Sequence, residues 1–306
     1  MSSPGDIHLL LEKANCLRNE VIGEEIKIIG NIRISNYCEE NCLYCPQRGD
    51  NLSLDRFRLT AEKIIDAVKS YSNMGLNEII LRSGHDTYFD SDMISYIIYS
   101  IKQSNDISVT LSLCERDFDE YKSWQIAGAD QYILKHITAN PMLFSIYPNG
   151  NNMNKRIDHL KRLREIGFKT GTGSIIDLPN QTEEDIAEDI LLSRELGVNL
   201  LSLSSFTPME STPYHTKNGV NDHLILKAVA AARFAVNDLD IPVYTPFGSR
   251  ELPVKEKMLN GGANVLIVNF NSIRHIHKQP TDAGKDKSSL EISWYNNKTK
   301  CFIRSI

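Results

Sequence analysis

From about Glu25 to about Asn271 the chain alternates short β-branched or apolar runs with amphipathic stretches of helical period, and no Pro/Ser linker or change of composition interrupts the rhythm. The pattern indicates repeated βα units. Strands are predicted at IKIIGNIRI, NEIILRS, SVTLSL, QYILK, KTGTGSII, NLLSLSS, PVYTP and NVLIVNF. Between them, TAEKIIDAVKSYSNMG places Ile64, Ile65, Val68 and Tyr71 on one helix face with Thr60 as its cap, and Thr182 with Asp185 opens a similar helix. Gly75, Gly128, Gly167, Gly197 and the pair Gly261 and Gly262 are read as helix ends just before the next strand.

Eight parallel strands with intervening helices most simply close into a single-domain (β/α)8 TIM barrel of the α/β class; an open doubly wound sheet is the alternative. At 306 residues the chain has room for two ordinary domains or one barrel. The reading is an N-terminal extension over residues 1–24 that covers the barrel floor or entrance, a barrel over 25–275, and a polar C-terminal tail over 276–306. In a barrel the loops leaving the C-terminal strand ends form the active face, and those loops carry the unusual residues.

Composition removes several function classes. With 34 Lys+Arg against 39 Asp+Glu the net charge is -5, which argues against a surface built to neutralise phosphate backbone, so no nucleic acid partner is expected. No run approaches the ~20 apolar residues of a membrane span, and no membrane association is expected. The opening residues lack a secretory signal, and a cytoplasmic protein is expected.

The most specific motif follows the first strand. SNYCEENCLYCPQRGDN places Cys38, Cys42 and Cys45 in a Cys-x3-Cys-x2-Cys loop. Such a loop can wrap three thiolates around three corners of an iron-sulfur cube and leave one iron open. Zinc is the competing metal; it wants a fourth ligand, for which His85 is the candidate.

This loop, with an aromatic residue, Tyr44, before its last cysteine, resembles the signature of the radical S-adenosylmethionine (SAM) superfamily. LRSGHDTYF, VTLSLCERDFDEYKSWQIAGADQYILKHITANP, TGTGSIIDLPNQTEED, SSFTPMESTP and GGANVLIVNF extend the likeness over most of Ile32 to Asn271 and resemble the HydE family of FeFe-hydrogenase maturases. The resemblance implies a 4Fe-4S cluster held by Cys38, Cys42 and Cys45, with SAM chelating the open iron. It implies reductive cleavage of SAM to a 5′-deoxyadenosyl radical that acts on a small amino-acid-derived or organometallic substrate, in metallocofactor maturation. A reducing electron donor such as ferredoxin or flavodoxin, and a second maturation protein, are the partners it implies.

By the same resemblance Tyr44 packs near the adenine, the backbone at Ser83 and Gly84 receives the SAM amino group, Arg156 pairs with the SAM carboxylate and Lys135 lines the cofactor site. Three positions depart from the family pattern: His85 replaces an acidic residue, Lys135 an Arg and Ile137 a Glu. His85, His136 and Thr172 are the catalytic candidates, because each sits on or just after a strand. Ser174, Ser204, Ser205, Tyr244 and Thr245 are further inward-facing candidates, and Arg250 a candidate anion binder. Alternation along a strand turns about half of such hydroxyls to the helices. Cys114 is read as core. A stretch like that of biotin synthase at Cys42 to Gln47 is offset by Thr170, which stands where that enzyme needs a cysteine. Two alternatives remain: a carbon-skeleton mutase resembling methylornithine synthase, and a non-catalytic iron-sulfur scaffold or sensor.

Overall fold

In the computed structural model, residues 4–73, 75–104, 106–146, 152–217, 221–244 and 252–269 are described. Thr245, Arg250, Cys301 and the 276–306 tail lie outside them. Each predicted strand is present: β1 (Lys27–Arg33), β2 (Glu78–Arg82), β3 (Ser108–Ser112), β4 (Gln131–Ile133), β5 (Lys169–Ile176), β6 (Leu200–Ser205), β7 (Pro242–Tyr244) and β8 (Val265–Asn269). Helices α1 (Pro4–Val21), α2 (Ala61–Ser72), α3 (Ser91–Ser104), α4 (Phe118–Ile126), α5 (Met153–Ile166), α6 (Glu183–Glu195), α7 (Asp222–Ala235) and α8 (Leu252–Leu259) surround them.

The strands form one parallel sheet in the order β6-β5-β4-β3-β2-β1-β8-β7. Its two ends nearly meet: Leu200 bridges Asp240, and the Leu201 and Asp240 amides donate to the carbonyls of Asp240 and Asn199 at 2.9 and 3.0 Å. This is a nearly closed barrel. An open doubly wound sheet would leave those ends far apart.

Local sequence explains the elements. Thr60 accepts from the Lys63 amide to start α2, whose Ile64, Val68 and Tyr71 are buried, and Thr182 with Asp185 forms a capping box on α6. Burying one such aliphatic side chain contributes roughly 1.5–3 kcal/mol. Gly75, Gly128, Gly167, Gly197 and Gly262 all have positive φ, so each turns the chain from helix to strand where a side chain would be strained. Helix α1 lies against α7 and α8, with Leu11 beside Gly261 and Ala14 beside Gly262.

The barrel interior is layered. The floor cavity, about 190 Å³, is polar and lined by residues including Lys27, Glu78, Gln131 and Asp240. Above it Ile29, Ile80, Ile133, Leu200, Val265 and Ile267 form an apolar plug, against which Tyr244 packs. Since alternate residues share a face, this plug also fixes which positions higher on each strand point inward.

Candidate active site

Protein hydrogen bonds and one ion pair frame the cysteine loop. Ile34 and Ser35 continue β1 by bonding to Arg82 and bridging Arg58. Asp86, 1% exposed, accepts the Arg58 guanidinium at 2.8–3.2 Å and the Ser35 hydroxyl at 2.5 Å. Burial alone would raise the Asp86 pKa, yet these donors hold its carboxyl below the ordinary range. The Arg58 plane is sandwiched by Tyr37 at 3.8 Å and Tyr88 at 4.6 Å. Arg56 donates to the carbonyls of Asn36, Gln47, Arg48 and Asn51, tying both ends of the loop together.

On this frame Cys42 is 7% exposed and Cys38 and Cys45 are half-buried. Burial pushes all three thiols up, Cys42 furthest. The His85 amide donates to Cys38 Sγ at 3.4 Å, and Arg82, Arg33 and Arg56 put positive charge near Cys45. Gly84 comes so close that a Cβ there would lie 2.5 Å from the Tyr37 carbonyl oxygen and 2.9 Å from Cys38 Sγ. Desolvated thiols faced by backbone N–H and arginines fit a cationic cluster, whose iron offsets the cost of ionising them. Among the described residues no three His, Cys, Asp or Glu side chains converge on one ion. The His85 imidazole turns instead to Glu40 at 3.3 Å, so the zinc reading with His85 as fourth ligand finds no support. Ligands of a cube are spread over several irons and need not meet at one point.

Below the loop the chamber is cationic. Lys135 is half-buried and donates to Ser204 at 2.8 Å; desolvation and then Arg82 lower its pKa to about 7. Arg82 and Lys135 both lie over the Tyr244 ring, at 5.6 and 5.7 Å. Arg156 reaches in from α5, its Nε paired with Glu115 and its Nη1 donating to the Lys135 carbonyl at 2.8 Å. It is thus at the barrel mouth, while Glu165 pairs with Arg162. Ser83 Oγ donates to the Gly84 carbonyl, and Tyr44 packs on an apolar lid with Cys42, Ile137, Phe144, Ile175 and Phe206. Ile137, where the family pattern has a carboxylate, is therefore part of that lid, held in left-handed backbone at φ 72.

Two of the three catalytic candidates lie elsewhere. His136, 0% exposed, bonds through Nδ1 to Thr172 Oγ1 at 2.9 Å, and its Nε2 lies 3.7 Å from Asp189 of α6. Thr172 donates to the Leu134 carbonyl. Both belong to the helix-facing side of the sheet. The parity of β5 explains this placement: Gly171 and Gly173 face inward, where Cβ atoms would strike Ile133 and Lys135, so Thr170, Thr172 and Ser174 face out. Arg33, Arg82 and Glu115 were not among the sequence candidates, and Cys114, expected in the core, is part-exposed at the end of β3. Counting inward from Ile29 and Ile80 by twos reaches Arg33 and Arg82, which was the available signal.

The fold and this mouth-side thiol loop define a class: the chain belongs to the radical SAM superfamily, which it matches over residues 32–192, and it is an enzyme of that superfamily. The family implies a 4Fe-4S cluster and SAM. The chain is 37% identical to the [FeFe] hydrogenase maturase subunit HydE of Thermotoga maritima over 85% of its own length and 75% of the relative's. It is 22% identical to 3-methylornithine synthase of Methanosarcina acetivorans over 87% and 75% of the two chains. The crystal structure of methylornithine synthase (PylB) superposes with a TM-score of 0.82, 20% identity and 96% and 90% coverage, and that of the maturase HydG from Carboxydothermus hydrogenoformans with 0.79, 21%, and 96% and 71%. Among the described residues no helix is long and apolar enough to cross a membrane.

Proposed function

We propose that this chain is a HydE-like radical SAM enzyme acting on a small, anionic amino-acid-derived or organometallic molecule during metallocofactor maturation. The observation that carries the reading is the frame-held loop of Cys38, Cys42 and Cys45 over a chamber lined by Arg33, Arg82 and Lys135, in a chain 37% identical to a HydE. When bound, the cluster and SAM supply one-electron cleavage of a carbon-sulfur bond. The protein's residues do the rest. Cys38, Cys42 and Cys45 hold the cluster, with the His85 amide supporting Cys38. The backbone at Ser83 and Gly84 meets the SAM amino group. Arg156, oriented by Glu115, offers its fork to the SAM carboxylate. Tyr44 and Ile137 shut water out beside the adenine, and Lys135 with Arg82 attracts the substrate's negative charge.

A reducing electron donor of the ferredoxin or flavodoxin kind and a second maturation protein complete the proposed setting, which is cytoplasmic. Anaerobic reconstitution followed by reductant and SAM tests it: 5′-deoxyadenosine should form, and Cys42→Ala should abolish both visible cluster absorbance and cleavage. Cleavage by a colourless preparation would overturn the reading. The second reading is a mutase like methylornithine synthase, to which the chain is 22% identical over 87% of its length. Formation of methylornithine from lysine would select it over the maturase.

A further inference from the structure

The polar floor cavity plays no part in the proposed function, because the plug built around Ile29, Ile80, Ile133 and Leu200 separates it from the mouth. Its lining residues stand at or shortly before the first positions of the strands, so the ring divides by strand order. One half, from β3 to β6, carries donors: the Ser108 hydroxyl, the Gln131 and Asn199 amides and the Lys169 ammonium. Asn199 Oδ1 accepts the Thr170 amide at 3.0 Å and Gln131 Oε1 accepts Thr110 Oγ1 at 3.2 Å, which leaves the NH2 end of each for the cavity. Gln131 is only 9% exposed, and its Nε2 has no hydrogen-bond partner among the described residues. A donor buried that deeply costs free energy unless something accepts from it. The other half is acidic. Lys27 lies between Glu78 at 2.7 Å and Asp240 at 3.5 Å, and Asp238 makes the count three carboxylates to one ammonium. Asn264 Nδ2 fixes Asp240 by donating to its Oδ1 at 2.7 Å. The ion pairs of the ring all belong to Lys27, so Lys169 has none among the described residues.

We propose that the barrel floor is a second binding site, for a small free amino acid in its zwitterionic form. Its carboxylate meets Lys169, Gln131 and Asn199, and its ammonium meets Asp238 and Asp240. The volume, about 190 Å³, equals that of roughly six water molecules in the bulk liquid, which suits a molecule of few heavy atoms. A plain anion would set its charge against the acidic half, and a plain cation would leave Lys169 and Gln131 without an acceptor. Water satisfies the amide but does not answer the separation of charge across the ring. Binding here is non-covalent and involves neither cluster nor SAM, so the site stands independently of the cluster reading.

The test is calorimetric titration of the anaerobically reconstituted protein, without and with SAM, using glycine, L-alanine, L-serine and 4-aminobutyrate, with acetate and methylammonium as half-ligands. At least one zwitterion should bind at a single site per chain, unaffected by SAM, and about tenfold or more tightly than either half-ligand. Lys169→Met and Asp238→Asn, both at exposed positions, should each weaken that binding roughly tenfold and leave 5′-deoxyadenosine formation at the wild-type level. Lys135→Met, on the far side of the plug, should leave the binding intact. Absence of binding by every zwitterion, acetate binding as tightly as the best of them, or binding that survives Lys169→Met and disappears in Lys135→Met would each overturn the proposal. A colourless protein that still binds the zwitterion would end the cluster reading and keep the floor site.

Discussion

At Lys135, burial and the neighbouring Arg82 bring an amine that ordinarily titrates at 10.5 down to about 7. The unfolded chain keeps its proton through that window while the folded chain has lost it, so this group makes stability rise with pH between about 7 and 10.5. Urea midpoints should therefore increase from pH 7 to pH 9 in wild type relative to Lys135→Met, and the gap between the two proteins should be widest and level below neutrality. An unchanged difference would show that the amine is solvated. At Gly84 the Cβ of an alanine would fall on the Tyr37 carbonyl and Cys38. Gly84→Ala should thus lose bound iron severalfold, measured against a circular dichroism spectrum that remains that of the folded barrel. Thr172 tests the opposite case. Because it bonds only on the helix side, Thr172→Val should cost about 1 kcal/mol in denaturation and leave 5′-deoxyadenosine formation near wild type. A collapse of cleavage at unchanged stability would return Thr172 to the active site.

Among the elements, the cysteine loop depends on one ion pair that reaches across from the β2 end. Removing Arg58 leaves Asp86 buried with only Ser35 and the Tyr88 amide as donors. Arg58→Met should destabilise the protein by about 2 kcal/mol and weaken cluster retention on gel filtration, whereas Arg48→Met, whose partner Asp50 is solvent-exposed, should do neither. The element boundaries were legible because strand, cap and terminating glycine are local signals: Thr60, Thr182 and Gly167 act through residues within a few positions of themselves. The cysteine spacing was legible for the same reason. What the sequence hid was facing. Thr170, Thr172 and Ser174 alternate with glycines, so period two gave no apolar side to set against a polar one, and only the barrel's plug residues decide which set turns inward. The pairing of Arg156 with Glu115 was hidden too, because the two come from different βα units and no spacing links them.

On the scale of the whole molecule, seven strand pairs run as parallel ladders, while among the described residues β6 and β7 share backbone bonds around Asp240 and a 3.4 Å contact between the Ser202 and Tyr244 hydroxyls. The Leu201 amide faces β7, and alternation turns the Leu203 and Ser205 amides the same way, with no sheet partner among the described residues. Hydrogen exchange should accordingly be faster at Leu203 and Ser205 than at Ile175 and Ile176, and equal protection would mean that the seam is closed along its length. Among the described residues the seam is laced by backbone bonds at its foot, like a cask with one loose stave, so strain at the rim would rupture no ladder there and the base would keep its girth.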